Sequence, residues 1–218
     1  MFLRYIKKEI SSSKERNISK YNMQKIVGID VGIRNLALCC LDACTGTIEH
    51  WHVLDVLGDK HKNATKASIA DCVTCMLHAL SELDWWSTLG ENDVVAIESQ
   101  PVGRMATGNI KCKCISHAIQ SFVVLHTKAT PTFVNPKTKF ATETIAEYGG
   151  LDLAGDENVK KRYKLHKAAA VKMVDTTVAD TPWVEWWTAL KKKDDAADAF
   201  LLAKIAMASK TKKRKRKQ

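Results

Sequence analysis

Four carboxylates stand in or beside short apolar runs, where a side chain of that kind is costly to keep. Asp30 lies inside Lys25-Ile-Val-Gly-Ile-Asp-Val31, and Glu98 closes Asp93-Val-Val-Ala-Ile-Glu98. Asp195 and Asp198 open the last helical pattern, Asp194-Asp-Ala-Ala-Asp-Ala-Phe200. An ionised group in a strand without polar alternation has to be paired, hydrogen-bonded or bound to a cation, because burying it alone is too expensive. If the two strands and the helix start converge, they form an acidic pocket that suits a hard divalent metal and metal-assisted phosphodiester cleavage. Blander roles exist for three of the four. Asp195 and Asp198 lie in a first helical turn, where capping and the helix dipole favour negative charge, and Glu98 could pair with a base such as Arg104. Asp30, between Ile29 and Val31, has no polar register to excuse it.

The elements that must position these acids follow from periodicity. Three β-type runs, 25–31, 34–42 and about 47–55, are separated only by Gly32 and by Thr45-Gly-Thr47, so they form an antiparallel meander. A helical stripe over 66–83 carries Ile69, Val73, Met76, Leu80 and Leu83. A strand at 93–99 follows, then a helix from about 109 to 127, a short strand at 131–134 and a helix over 138–147. Gly149-Gly150 and the acidic stretch to Glu157 read as a loop, and helices over 159–179 and 194–208 complete the chain. The order β-β-β-α-β-α-β-α-α-α predicts an α/β fold with a mixed five-stranded sheet flanked by helices. A helical crossover makes the first and fourth strands parallel neighbours, which sets Asp30 beside Glu98. Asp195 and Asp198, three apart on a helix, share a face.

The chain has 218 residues and 45% hydrophobic content, enough for one domain with a proper core. No apolar run approaches the roughly 18 residues that a membrane span requires. The net charge of +10 is concentrated at the ends: +7 in Lys210–Lys217 and +4 in residues 1–22, leaving the body near −1. Basic ends suit a polyanionic partner whose grip weakens with salt. The boundaries drawn are a basic extension at 1–22, a domain at 23–208 and a basic tail at 209–218. Met23 could be an alternative start, and Glu9 and Glu15 argue against a targeting sequence in the extension. The tail is too charged to pack, so disorder is expected there, with a role as nuclear address or DNA tether. Seven cysteines without a secretory context read as reduced thiols in an intracellular protein. Cys72-Val-Thr-Cys75 and Cys112-Lys-Cys114 lie in helical patterns and read as core residues rather than zinc ligands. The tryptophan group Trp183, Trp186 and Trp187 reads as core or interface.

Taken together, Lys25-Ile-Val-Gly-Ile-Asp-Val-Gly-Ile-Arg-Asn-Leu-Ala37, Val95-Ala-Ile-Glu-Ser-Gln100 and Asp194-Asp-Ala-Ala-Asp-Ala199 resemble the motifs of the RuvC-type Holliday junction resolvases. The branch in poxviruses and other large DNA viruses is the nearest in pattern, with the fungal mitochondrial enzymes as relatives. The resemblance spans roughly residues 25–207. It implies a ribonuclease H-like fold, homodimers, binding of four-way DNA junctions, and paired symmetric nicks using Mg2+ or Mn2+. By motif, the metal-binding acids are Asp30, Glu98, Asp195 and Asp198. Two ions roughly 4 Å apart would activate water and stabilise the leaving 3′ oxygen. The family also places a lysine by the scissile phosphate after the fifth strand, where Lys139 is the first choice and Lys137 the second. Each of these could equally be a solvated lysine at a helix start. Arg104 and Asn109 could touch the DNA backbone or the crossover, or simply face solvent. A viral source would place the protein in the host cytoplasm or nucleus, ahead of a mitochondrion.

A symmetric dimer suits the two-fold symmetry of a junction. The apolar face Ile115, Ile119, Phe122, Val123 and His126 is the expected contact, with packing on its own sheet as the alternative. Gly28-Ile-Asp-Val-Gly-Ile-Arg34 also resembles a phosphate loop of actin-like ATPases, for which the chain is too short. Two nearer rivals are a nuclease for RNA/DNA hybrids and a catalytically idle junction-binding protein.

Overall fold

Residues 24–58, 66–100, 107–135, 138 and 159–215 are described by the structure, a computed structural model. Strands β1 (Lys25–Val31), β2 (Asn35–Asp42) and β3 (Ile48–Asp55) form the expected antiparallel meander. Gly46 turns β2 into β3 with φ of 73°, a left-handed conformation that glycine adopts without a Cβ clash. Strands β4 (Val94–Glu98) and β5 (Thr130–Val134) add in parallel on the other side of β1, giving the order β3-β2-β1-β4-β5. This is the mixed sheet that the element order predicted, and it agrees with the ribonuclease H-like fold that the resemblance implied.

Helix α1 (Ile69–Ser81) starts later than the apolar stripe suggests because Ser68 stops it. The Ser68 hydroxyl accepts from the Asp71 amide at 3.0 Å, and the Asp71 carboxylate accepts from the Ser68 amide at 3.1 Å. That reciprocal capping box satisfies two otherwise orphaned donors. Helix α2 (Thr107–His126) precedes β5, and α3 (Val159–Val178) falls where periodicity placed it. Two elements were not foreseen: a 3-10 turn at Asp84–Thr88 and a short helix α4 (Val184–Ala189). Both are too brief to show a period, and tryptophans anchor both. Helix α5 (Lys193–Lys215) runs past the expected end at 208 into the basic tail. The lysine-rich stretch that composition assigned to disorder is thus helical as far as Lys215, since Lys and Arg are good helix formers that need no packing partner. The expected helix at 138–147 beyond its first residue, the loop to Glu157 and the extension at 1–22 lie outside the described residues.

The sheet separates two cores. One face carries Val27, Ile29, Val31, Val95 and Ile97 against Cys72, Met76 and Leu80 of α1 and Ile115, Ile119 and Phe122 of α2. The other carries Ile26, Val94 and Ala96 against Met173 and Val174 of α3 and Phe200, Leu201 and Ala203 of α5. Truncating a filler such as Phe200, which is fully buried, would cost about 3–5 kcal/mol. Trp51, Trp183, Trp186 and Trp187 belong to this second core, whereas Trp85 and Trp86 pack in the first. Trp51 stacks on Trp187 with centroids 5.3 Å apart, and the Trp183 indole donates to the Ile48 carbonyl at 2.9 Å.

The first core also corrects the expected dimer contact. Ile115, Ile119, Phe122 and Val123 are buried against the molecule's own sheet, and His126 is exposed while stacking on Phe122. A helix over the parallel β1–β4 pair must spend its apolar stripe on that sheet. Its outward side carries Val124 and Leu125, 60% and 78% exposed. No helix among the described residues is long and apolar enough to cross a membrane.

Candidate functional site

Alternation along the strands decides which face each acid joins. In β1, Val27 and Ile29 belong to the α1–α2 core and Ile26 to the α3–α5 core, so Asp30 points to the α5 side. In β4, Ile97 belongs to the first core and Ala96 to the second, which puts Glu98 on that same α5 side. The parallel register pairs Ile29 with Ile97, so Asp30 and Glu98 are the next residues of adjacent strands, at their carboxyl ends. Both are half-buried.

What brings the helical acids to them is the absence of a side chain. A Cβ on Gly28 would lie 2.1 Å from the Ala199 carbonyl oxygen and 2.5 Å from the Ala203 amide nitrogen. Helix α5 can therefore rest on the backbone of β1 only because residue 28 is glycine and its own facing residues, Ala196, Ala199 and Ala203, are small and fully buried. Gly28 and Asp30 share a face, so a helix seated on Gly28 carries its first turn toward Asp30. The Trp51 indole fixes that turn by donating to the Ala196 carbonyl at 3.2 Å.

Asp195 is half-buried and Asp198 is buried. Burial, then the charges of Asp194 and Asp30, push the Asp195 carboxyl up from its ordinary range, partly offset by a hydrogen bond from Asn35. Its neighbour Asp194 goes the other way. Burial is the largest influence there and raises it, but the Lys167 ammonium, donating at 2.6 Å, carries it below the usual range. Cys112 of α2 reports on the strand acids. Its thiol is pushed up by burial and then by the charges of Glu98 and Asp30. The Gln100 amide donates to Glu98 at 3.1 Å.

Three of the sequence-predicted acids, Asp30, Glu98 and Asp195, thus fall at one end of the sheet on one face, while Asp198 is buried one turn along α5. Asp30 and Glu98 are strand neighbours, and Asp30 and Asp195 feel each other's charge. Among the described residues no three His, Cys, Asp or Glu side chains close into a finished ion-holding group. In kind, the set fits a hard divalent cation: the donors are carboxylate oxygens, and the charges of Asp194 and Asp30 raise the Asp195 carboxyl, a repulsion that a bound cation would relieve. Lys137, Lys139 and Arg104 lie outside the described residues, and Asn109 is placed only as a backbone position in the first turn of α2.

Two residues near the acids were not assigned by sequence reasoning. Lys167 stands in His166-Lys-Ala-Ala-Ala-Val171, a cation inside an apolar helical stretch, which was the available signal. Asn35 carries no such mark, because a polar residue after a turn is unremarkable in a sequence.

No family model matches the chain, and no curated protein matches it. Among solved structures, the fowlpox virus Holliday junction resolvase superposes with a TM-score of 0.52 at 19% identity, covering 85% of this chain and 99% of that one. RuvC of T. thermophilus in complex with a Holliday junction substrate gives a TM-score of 0.49 at 14% identity, covering 86% and 96%. The yeast mitochondrial Holliday junction resolvase gives 0.48 at 18% identity, covering 86% and 79%. At these identities the first likeness shows that the chain has the resolvase fold.

Proposed function

We propose that this chain is a structure-specific DNA endonuclease that resolves four-way junctions by paired, symmetric nicks, using Mg2+ or Mn2+ held by Asp30, Glu98, Asp195 and Asp198. One observation carries the reading: the carboxyl ends of β1 and β4 set Asp30 beside Glu98, and the Gly28 contact seats the acidic first turn of α5 against the same face. Nothing in the stability of the fold requires that grouping, since like charges at close range cost free energy. The shared fold with the fowlpox virus Holliday junction resolvase supports the choice of substrate.

When bound, divalent ions supply an activated water and neutralise charge on the scissile phosphate. The protein's part is to hold that charge in place. The carboxylates supply hard oxygen donors, and the Trp51 and Asn35 contacts hold the α5 turn against β3 and β2. Lys167, paired with Asp194 at 2.6 Å, could offset phosphate charge beside this turn. Lys139 or Lys137 would add a second cation, and Arg104 and Asn109 backbone contacts. Two copies related by a two-fold axis would present two such sites to strands of like polarity.

The test is metal-dependent nicking of a synthetic four-way junction, measured beside linear duplex and RNA/DNA hybrid. We expect paired nicks in the junction only. Preferential cutting of the hybrid would make the chain a nuclease of another class, and binding without cutting at any Mg2+ or Mn2+ concentration would leave an idle junction-binding protein.

A further inference from the structure

We infer that Asn35 is a positioning residue for this site: its side-chain amide fixes the direction in which Asp195 presents its carboxylate to a divalent cation. The inference rests on the reading of Asp195 as a metal ligand.

The Asn35 Nδ2 donates to Asp195 Oδ2 at 3.1 Å, joining residues 160 apart in the chain. A carboxylate only accepts, so the amide must present its nitrogen, and the assignment of its two ends is settled by chemistry. Asn35 is itself held firmly. It begins β2, paired with Asp55 of β3, and its carbonyl oxygen lies only 2.2 Å from where a Cβ on Gly32 would stand. The preceding Arg34 is fixed by its carbonyl, which accepts from Val56 at 2.9 Å, and by its guanidinium, which grips Asp55 at 2.8 Å. The donor is therefore mounted on the same tight turn that follows Asp30, so one rigid hairpin sets both acids relative to each other.

The chemistry of the donor matters as much as its place. Asp194 and Asp195 are adjacent, yet one is matched by an ammonium and the other by a neutral amide. An ammonium cancels the charge of its partner and competes with a metal. An amide bonds one oxygen, leaves the charge intact and leaves the remaining lone pairs for a cation. This is what an outer partner of a metal ligand has to do, and removing such partners costs about 10- to 100-fold in metal affinity.

The test compares Mn2+ binding to the full-length protein without DNA, followed by electron paramagnetic resonance of the free ion. The variants are Asn35→Leu, Asn35→Gln, Asp195→Asn and Trp51→Phe, each with its thermal midpoint. We expect Asn35→Leu to weaken Mn2+ binding about 10- to 100-fold, Asn35→Gln to recover part of it, and extra Mn2+ to restore nicking by Asn35→Leu. Trp51→Phe frees the Ala196 carbonyl without touching Asp195, and should shift the midpoint more than the affinity. If Asn35→Leu folds poorly, Asn35→Gln alone carries the comparison, since a longer amide reaching Oδ2 at a different angle should still weaken binding measurably. Unchanged Mn2+ affinity in the Asn35 variants with a clear loss in Asp195→Asn overturns the role of Asn35 and leaves the metal reading standing. No loss in Asp195→Asn overturns both. An equal loss in Trp51→Phe and Asn35→Leu reduces Asn35 to a generic helix anchor and also overturns the inference.

Discussion

At the amino ends of β1 and β4 the fold buries Asp42 and Asp93; at the carboxyl ends Asp30 and Glu98 stand on adjacent strands, with Asp195 of α5 feeling the charge of Asp30. The first pair is saturated by backbone donors. Asp42 accepts from the Cys44 and Thr45 amides at 2.7 and 2.8 Å and from the Thr45 hydroxyl at 3.1 Å. Asp93 accepts from the Lys25 and Gly90 amides at 2.6 and 2.7 Å. Burial raises the Asp42 carboxyl, but those hydrogen bonds outweigh it and leave the group below its ordinary range. Asp195 is raised instead, by burial and by other acids. The lesson is that burial alone does not mark a site. An acid fed by backbone N–H groups closes a turn, whereas an acid raised by other acids, as Asp195 is, is the kind that marks a candidate site.

The largest effect expected from breaking this contrast is at Asp30. Asp30→Asn should retain junction binding, which rests on distributed basic contacts, and slow nicking by more than the about 100-fold typical of an outer-partner loss. Nicking at the wild-type rate on a labelled junction would remove Asp30 from the site. Next comes the seat of α5. Gly28→Ala has to displace backbone and should cost about 1–3 kcal/mol in urea unfolding along with most of the activity. Gly90→Ala at the opposite end, where the added carbon meets only Asp93 Oδ2 at 3.8 Å, should stay within about 0.5 kcal/mol.

A finer test uses the sign of single-acid changes. Asp42→Ala strands the Cys44 and Thr45 amides and should destabilise by about 1–3 kcal/mol at neutral pH. Because the folded Asp42 titrates below its unfolded value, its stabilising contribution is complete above the unfolded value of about 3.9. It is then lost as pH falls through the folded one. The variant should therefore lose less stability than wild type on acidification. Asp195→Asn should move the thermal midpoint upward, since a carboxyl titrating above its unfolded value costs stability once ionised. Two variants shifting the midpoint in the same direction would erase the distinction between the ends. The smallest effect concerns the basic end of α5. Deleting residues 210–218 should weaken DNA binding at low salt and flatten its salt dependence, with nicking at saturating protein nearly unchanged. Identical binding across the salt range would leave that segment an address rather than a tether.

Much of this was written in local pattern. The β1–β3 meander follows from loops too short for any other connection, and the faces of β1 and β4 follow from strict alternation. Asp30 betrays itself because a strand with Ile29 and Val31 on either side offers a charge no polar register. The 3-10 turn and α4 escaped because five or six residues carry no period, and the run of α5 to Lys215 escaped because charge argues against packing but not against helix. The apolar stripe of α2 was visible, but not what it would meet. Any such stripe can be satisfied by a sheet or by a second copy, and here the parallel β1–β4 pair took it.

The sequence by itself determined the order of the strands, the four acids and the glycine at residue 28, since each is a matter of residue type and spacing. Tertiary structure alone decided that Gly28 would serve as the seat of α5, that Lys167 would meet Asp194 and that Asn35 would reach Asp195. These contacts span 27 to 171 residues of chain, and no periodicity extends that far. They exist because α3 and α5 bury their alanines in one core on the same face of the sheet.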